Sequence, residues 1–200
     1  MPERLAWAVA GRPMPGEEVS GDMHVATATS AGALLAVVDG LGHGPDAAAA
    51  ARAAVEVLDA HPEEPVTALA ARCHQALRRT RGAAISVVSV DGAGERLDWV
   101  GIGNVEGRVL RGSASEQRAD EALLLRAGVV GYRIPEVRAL SVDLAPGDLI
   151  VLASDGVHAG FSEDVNREAE PQALADELLD RHGKTTDDAL VLVARVGGSA

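Results

Sequence analysis

Leu34-Leu35-Ala36-Val37-Val38-Asp39-Gly40-Leu41-Gly42-His43-Gly44-Pro45-Asp46, running on into alanines, is the stretch that decides the fold. Apolar residues end in an aspartate, glycines follow at alternate positions, and a proline comes next. A short continuous apolar run bounded by glycine reads as a buried strand. Proline suits the first turn of a helix, where its missing N–H is one of the unbonded donors anyway. Strand, tight turn and helix start therefore follow one another, and Asp39 sits at the strand end.

Outward from that stretch the pattern is mostly β. Leu5, Trp7 and Val9 alternate as in a strand, Gly11 to Gly21 is punctuated as a loop, and His24 to Thr29 alternates again. Pro45 to Ala60 reads as a helix on its alanine content, and Pro65 opens a second with Leu69, Cys73, Ala76 and Leu77 on one face. Arg78, Arg79 and Arg81 crowd the end of that second helix, where the dipole favours positive charge. Strands are expected over Ala84 to Val90, Leu97 to Ile102, Val105 to Leu110, Leu123 to Leu125 and Val137 to Leu144. Between them, Gly112 to Glu121 reads as a polar surface loop and Gly128 to Pro135 as a Gly/Pro-punctuated loop carrying Tyr132. Leu149-Ile150-Val151-Leu152-Ala153-Ser154-Asp155-Gly156 repeats the logic of the opening stretch, a buried strand ending in Asp-Gly. A loop or frayed helix over Gly160 to Glu170, a helix from Pro171 to His182 and a strand from Ala189 to Val196 complete the chain. Strands joined by hairpin-like turns favour an α+β fold with antiparallel sheets over a doubly wound one. Alternating and fully apolar strands together indicate two sheets packed as a sandwich with helices on the outer faces.

Length and composition narrow the function. The chain has 200 residues and a formal net charge of −12, and it is 47% hydrophobic. That suits one folded domain over residues 1–200 and excludes a disordered composition. The charge argues against a general nucleic-acid binder and is compatible with a cation site or with solubility alone. A single cysteine, Cys73, permits no internal disulfide and no cysteine zinc cage, and a reducing cytoplasm is the expected compartment. Met1 to Val9 lacks the apolar core of a signal peptide, and no apolar run is long enough to span a membrane.

Chemistry concentrates in aspartates. Asp22, Asp39, Asp155 and the pair Asp187-Asp188 each lie beside an expected strand end. Carboxylates gathered at one rim repel unless a cation lies between them. An all-oxygen set suits Mg²⁺ or Mn²⁺ and not Zn²⁺, and two such ions can deliver an activated water to phosphorus. The plain alternative is that Asp-Gly is a turn dipeptide. The Gly40-Leu41-Gly42-His43-Gly44 run is a weak phosphate loop, without dinucleotide spacing or a P-loop lysine. Cys73 and Arg79 satisfy C-x5-R, but the segment lacks glycine and reads as mid-helix, so a buried structural thiol is expected. His43 lies in the central loop, where it meets a phosphate or a proton or merely contributes polarity.

Taken in order, Ser20-Gly21-Asp22, Val38-Asp39-Gly40-Leu41-Gly42-His43-Gly44, Ser154-Asp155-Gly156 and Asp187-Asp188 resemble the metal-dependent (PPM) serine/threonine protein phosphatases. The D-G-L-G-H-G form is similar to their bacterial SpoIIE-type branch. Arg72-Cys73-His74-Gln75-Ala76-Leu77, Arg81-Gly82-Ala83-Ala84, Val100 to Val105 and Gly131-Tyr132 are similar to its RsbX-like members. The resemblance implies a helix-flanked β-sandwich with two Mn²⁺ or Mg²⁺ ions at one rim. Asp39 would bridge both ions, the Gly40 carbonyl would bind one, Asp155 and Asp187 would hold the other, and Asp22 would act through water. Arg12 is the nearest counterpart of the family's phosphate-binding arginine, and His43 joins it on the substrate side. Leu190 stands where many relatives have threonine, and Val105-Glu106-Gly107-Arg108 lacks the Asp-Ser associated with a third metal.

The function so implied is hydrolysis of phosphoserine or phosphothreonine by metal-bound hydroxide, without a covalent enzyme intermediate. The implied substrates are phosphorylated STAS-domain proteins of a stressosome, with no nucleic acid and no membrane involved. A catalytically silent module on the same fold, binding a STAS protein or a kinase, is the alternative, and Mn²⁺ uptake separates the two.

Overall fold

The structure is a computed structural model that describes residues 5–112, 118–163 and 165–197. Its elements run β1 (Leu5–Arg12), β2 (Asp22–Thr29), β3 (Gly32–Gly40), α1 (Gly44–Ala60), α2 (Val66–Ala76), a 3₁₀ turn (Leu77–Arg79), β4 (Ala83–Asp91), β5 (Arg96–Ile102), β6 (Glu106–Leu110), β7 (Glu121–Ala122), β8 (Leu140–Asp143), β9 (Leu149–Ala153), α3 (Pro171–His182) and β10 (Ala189–Val196). One sheet has the strand order β1-β10-β9-β6-β7 and the other β2-β3-β4-β5-β8, and neighbouring strands in both run antiparallel. The expected α+β sandwich is the fold observed.

The layering follows from alternation along the central strands, because successive side chains of a strand point to opposite faces. Leu35 and Val37 of β3 pack between the sheets with Ile150 and Leu152 of β9 and Leu192 of β10. Leu34, Ala36 and Val38 point the other way, onto Ala51, Ala54 and Leu58 of α1 and Leu69 and Cys73 of α2. Val151, Val191 and Val193 leave the other sheet outward onto Leu174 and Leu178 of α3. Strands covered on both faces read as unbroken apolar runs, which is why β3, β9 and β10 stand out in the sequence. The alanines of α1 let its backbone lie close to β3.

Two expected strands differ from those formed. Leu123 to Leu125 was expected to be extended, but β7 is Glu121–Ala122. Leu123 makes one further bond, its N–H donating to the Gly107 carbonyl at 2.9 Å, and its side chain is buried while Leu124 is exposed. The apolar triplet thus marks a side chain turned inward at the sheet edge. Val137 to Leu144 shortens to β8, Leu140–Asp143. The reason lies on β5: β8 pairs with it only as far as Trp99, and beyond that Arg126 takes the edge, its N–H donating to Gly101. The expected surface loop over 112–121 lies in part, at 113–117, outside the described residues. Residue 164 of the 160–170 stretch lies outside the described residues; on either side of it the chain forms turns, with Phe161 buried beneath α3.

Cys73 settles the C-x5-R pattern. It is fully buried on α2, its thiol faces the Ala54 carbonyl at 3.8 Å, and burial pushes its pKa up to about 12. A thiol this far from ionisation is not a nucleophile. Native protein at pH 8 is expected to leave Ellman's reagent unreacted, with release of one thiol equivalent only on unfolding; rapid native labelling would contradict this packing.

Candidate metal centre at the mouth of the sandwich

Strand parity gathers the acidic residues. Asp39 shares the inter-sheet parity of Leu35 and Val37, and Asp22 lies opposite it in the β2–β3 register. On the other sheet, Ser154 continues the inward parity of Ile150 and Leu152, and Asp188 that of Leu190 and Leu192. The sandwich ends at these positions, so its apolar interior gives way there to a rim of carboxylates.

Packing requires glycine after each strand-end aspartate. Neither Gly40 nor Gly156 has a positive φ. A Cβ on Gly40 would lie 2.1 Å from the Ala47 carbonyl oxygen of α1, and one on Gly156 would lie 1.7 Å from the carbonyl oxygen of Asp188. The Asp-Gly turn reading therefore fails at Gly40, which is strand, and holds at Gly156, where the Val157 N–H donates to the Ser154 carbonyl at 3.0 Å across a turn. Each glycine lets a second backbone close on the strand end that carries the aspartate.

Hydrogen bonds fix the carboxylates individually. Ser154 Oγ donates to Asp22 Oδ2 at 2.6 Å and accepts from the Leu190 N–H at 2.9 Å, tying one sheet to the other at the rim. Asp188, buried, accepts from the N–H groups of Met14 at 2.7 Å and Gly21 at 2.8 Å. It thereby holds the loop that delivers Asp22, and the Gly40 N–H donates to the Gly21 carbonyl at 3.1 Å on the same loop. Asp155 Oδ2 accepts from Asn104 Nδ2 at 2.5 Å, and Lys184 Nζ donates to the Asp155 carbonyl. Asp187 turns one oxygen back to the Asp188 N–H at 3.0 Å.

Electrostatics show how these carboxyls act on one another. Burial first, then the charges of Asp22, Asp155, Asp187 and Asp188, push the Asp39 carboxyl up to about 8. Burial likewise raises Asp22 to about 7, with Asp188, Asp155 and Asp187 adding to the rise and the Ser154 hydroxyl opposing it. Asp155 is raised by burial and by Asp187, against the opposing pull of Lys184 and Asn104. The groups sense one another as like charges with little cationic compensation.

A divalent ion fits this donor set. All the side-chain donors are carboxylate oxygens, the choice of Mg²⁺ and Mn²⁺ over Zn²⁺. Among the described residues, no three His, Cys, Asp or Glu side chains already close around a single ion position. Mg²⁺ is suited to such an open arrangement because it keeps several waters and needs only one or two carboxylates.

Of the residues singled out from the sequence, Asp22, Asp39, Asp155 and Asp187 form this group, and Gly40 adjoins it. His43 stands at the N-terminal end of α1, half-exposed, with Nδ1 2.6 Å from Glu17 Oε1. Arg12 ends β1 and donates from Nη2 to the Gly183 and Lys184 carbonyls at 2.8 and 3.3 Å, fastening the turn that leads from α3 to Asp187. Sequence reasoning missed Ser154, Asn104, Lys184 and the clamp made by Asp188. One signal was available: Lys184 is the chain's single lysine among its 18 basic residues.

The sequence model of the family described as Stage II sporulation protein E (SpoIIE) matches residues 29–197. This chain belongs to that family. Within a 90-residue match it is 29% identical to the phosphoserine phosphatase RsbX of Bacillus subtilis (strain 168), a match spanning 45% of this chain and 45% of that protein. The matched stretch is thus less than half the length of that curated relative. Among solved structures, one reported as "The bacterial stressosome: a modular system that has been adapted to control secondary messenger signaling" superposes with a TM-score of 0.88 at 28% identity, over 96% of this chain and 100% of that one. RsbX in complex with magnesium superposes with a TM-score of 0.87 at 19% identity, over 98% of both chains, and so shares the fold. For this SpoIIE-family chain, all the carboxylates of the rim lie within or next to strands of that common sandwich.

The raised carboxyls fix a sign for pH dependence. Without metal, the folded protein keeps protons on Asp39 and Asp22 up to about pH 8 and about pH 7, whereas the unfolded chain releases them near the ordinary carboxylate value of 3.8. The folded state therefore binds more protons across that interval, and metal-free stability declines as pH rises through it. Asp39→Asn is expected to flatten the decline and raise the metal-free Tm at pH 8 by several degrees, measured by thermal unfolding in EDTA. A variant whose Tm follows pH as steeply as the parent would contradict the charge crowding at Asp39.

Proposed function

We propose that this chain is a divalent-metal-dependent protein serine/threonine phosphatase, acting in the cytoplasm as a single phosphatase domain over residues 1–200. Its proposed substrates are phosphorylated STAS-domain proteins of a stressosome-like complex. The observation that carries the reading is the group of buried carboxyls gathered at the mouth of the sandwich, each raised by burial and by its acidic neighbours. Family membership supports the reaction class, and the names of the RsbX and stressosome relatives support the substrate.

Two Mn²⁺ or Mg²⁺ ions, held by Asp39, the Gly40 carbonyl, Asp155 and Asp187 with Asp22 acting through water, would supply Lewis acidity and an activated water at phosphorus. The protein's own part is positioning. Asp188 holds the loop that sets Asp22 opposite Asp39, and Ser154 fixes which oxygen of Asp22 remains free. Asn104 orients the Asp155 carboxylate, and Arg12 with Lys184 steadies the turn before Asp187. No covalent intermediate is invoked, because the thiol of Cys73 is buried and the hydroxyl of Ser154 is committed on both sides. His43 keeps one ring nitrogen beyond its contact with Glu17 and is assigned to the substrate side.

The test is phosphate release from a phosphorylated STAS-domain protein in the presence of Mn²⁺. Activity is expected to vanish in EDTA and return with Mn²⁺. Asp39→Ala and Asp155→Ala should each lower kcat by about 100-fold or more, the scale on which a group stabilising transition-state charge is felt. Unchanged rates in both variants would sink the proposal.

A further inference from the structure

Resting on that phosphatase reading, we infer that an arginine-rich surface with Tyr132 at its centre docks an acidic segment of the phosphoprotein beside its phosphorylated residue. In a chain of net charge −12, Arg78, Arg79, Arg81, Arg126 and Arg133 are all exposed. No Asp or Glu occurs anywhere in 65–90 or in 122–135, the two segments that carry them. Among the described residues only Arg81 of the five has an ion-pair partner, Asp46 at 2.7 Å, while Arg78, Arg79, Arg126 and Arg133 have none.

Backbone pairing brings the two segments together. Ala83 and Val130 exchange N–H···O=C bonds of 3.0 and 2.9 Å, and the Gly131 N–H donates to His74 Nδ1 at 3.1 Å. The turn 129–133 is thereby laid against the end of α2, and a Cβ on Gly131 would lie 2.7 Å from the Leu77 carbonyl oxygen. At the tip of this anchored turn, Tyr132 is 85% exposed. A large aromatic held out on a rigid turn among arginines has the composition of an interface anchor, since Tyr and Arg dominate hot spots.

The surface adjoins the carboxylate rim at two points. The Leu41 N–H, two residues beyond Asp39, donates to the Gly82 carbonyl at 3.0 Å, next to Arg81. The Gly103 N–H donates to the Arg126 carbonyl at 3.0 Å, and the next residue, Asn104, holds Asp155. A bound segment would therefore lie directly against the place where its phosphoester must sit. The polarity is opposite to that of the rest of the molecule, so an acidic protein is steered to this face and repelled elsewhere. Nucleic acid and anionic lipid offer the same charge, but the molecule's net charge opposes an extended polyanion or membrane.

The experiment uses the full chain with Mn²⁺ and fluorescent phosphoserine peptides flanked either by Asp and Glu or by Lys and Arg, read by anisotropy. The acidic peptide is expected to bind at least about tenfold more tightly than the basic one, with a steep loss on adding salt. Arg79→Glu with Arg133→Glu should abolish the preference, and Tyr132→Ala should weaken the acidic peptide without altering the salt dependence. Because reversal of two charges could disturb folding, Arg78→Gln with Arg133→Gln serves as a milder pair that should shift binding in the same direction. Hydrolysis of p-nitrophenyl phosphate should be the same in all these variants. Equal binding of both peptides, or an unchanged preference in both arginine pairs, overturns the docking surface. Tighter binding of duplex DNA or phosphatidylserine vesicles than of the acidic peptide, lost in the same variants, overturns it in favour of another polyanion. Loss of p-nitrophenyl phosphate hydrolysis in the parent protein, with charge-selective binding retained, would instead count against the phosphatase reading alone.

Discussion

Repulsion among carboxylates at the mouth of the sandwich sets the terms for the elements around it. Asp22 and Asp39 stand opposite each other on adjacent strands, an arrangement that is destabilising for like charges. Asp155, Asp187 and Asp188 add to the field from the other sheet. A protein relieves such crowding either by protonating the groups or by holding a cation. The raised carboxyls of Asp22 and Asp39 are the first answer, and a divalent ion is the second.

The surroundings make sense as devices that keep this crowding in place. Asp188 faces the cluster but is satisfied by two backbone N–H groups, so it acts as a clamp on the 14–21 loop. Ser154 links Asp22 to the backbone of β10 and so couples the two sheets where they are furthest from the apolar interior. Lys184 and Arg12 both address backbone carbonyls and leave the carboxylate oxygens uncovered. An ammonium or guanidinium paired directly with Asp39 or Asp155 would have competed with an ion for the same lone pairs.

The central layers were legible in the sequence because β3, β9 and β10 are buried on both faces and announce themselves as apolar runs with aspartate at one end. Asp39, Asp155 and Asp187 were legible for the same reason, whereas Asp22 opens the half-exposed β2. The edges were not. β7 and β8 owe their limits to what occupies the neighbouring strand edge, as Arg126 does beyond Trp99, and no local pattern encodes that. The reason for glycine at 40 and 156 was also hidden, since it depends on Ala47 and Asp188 approaching from elsewhere in the chain. Asn104 and Ser154 are ordinary polar residues until the fold places them against Asp155 and Asp22. The arginine surface was half visible as a crowd of charge at the end of α2, read there as a dipole effect. Its second half, Arg126 and Arg133, joins it only through the pairing of Ala83 with Val130.

Anomalous diffraction from crystals grown with Mn²⁺ addresses the central claim most directly, because it locates the ions without reference to turnover. The account predicts two peaks at the rim formed by Asp39, the Gly40 carbonyl, Asp155 and Asp187, both lost in Asp39→Asn. A rim without anomalous density at millimolar Mn²⁺, with the carboxylates still gathered, would contradict it.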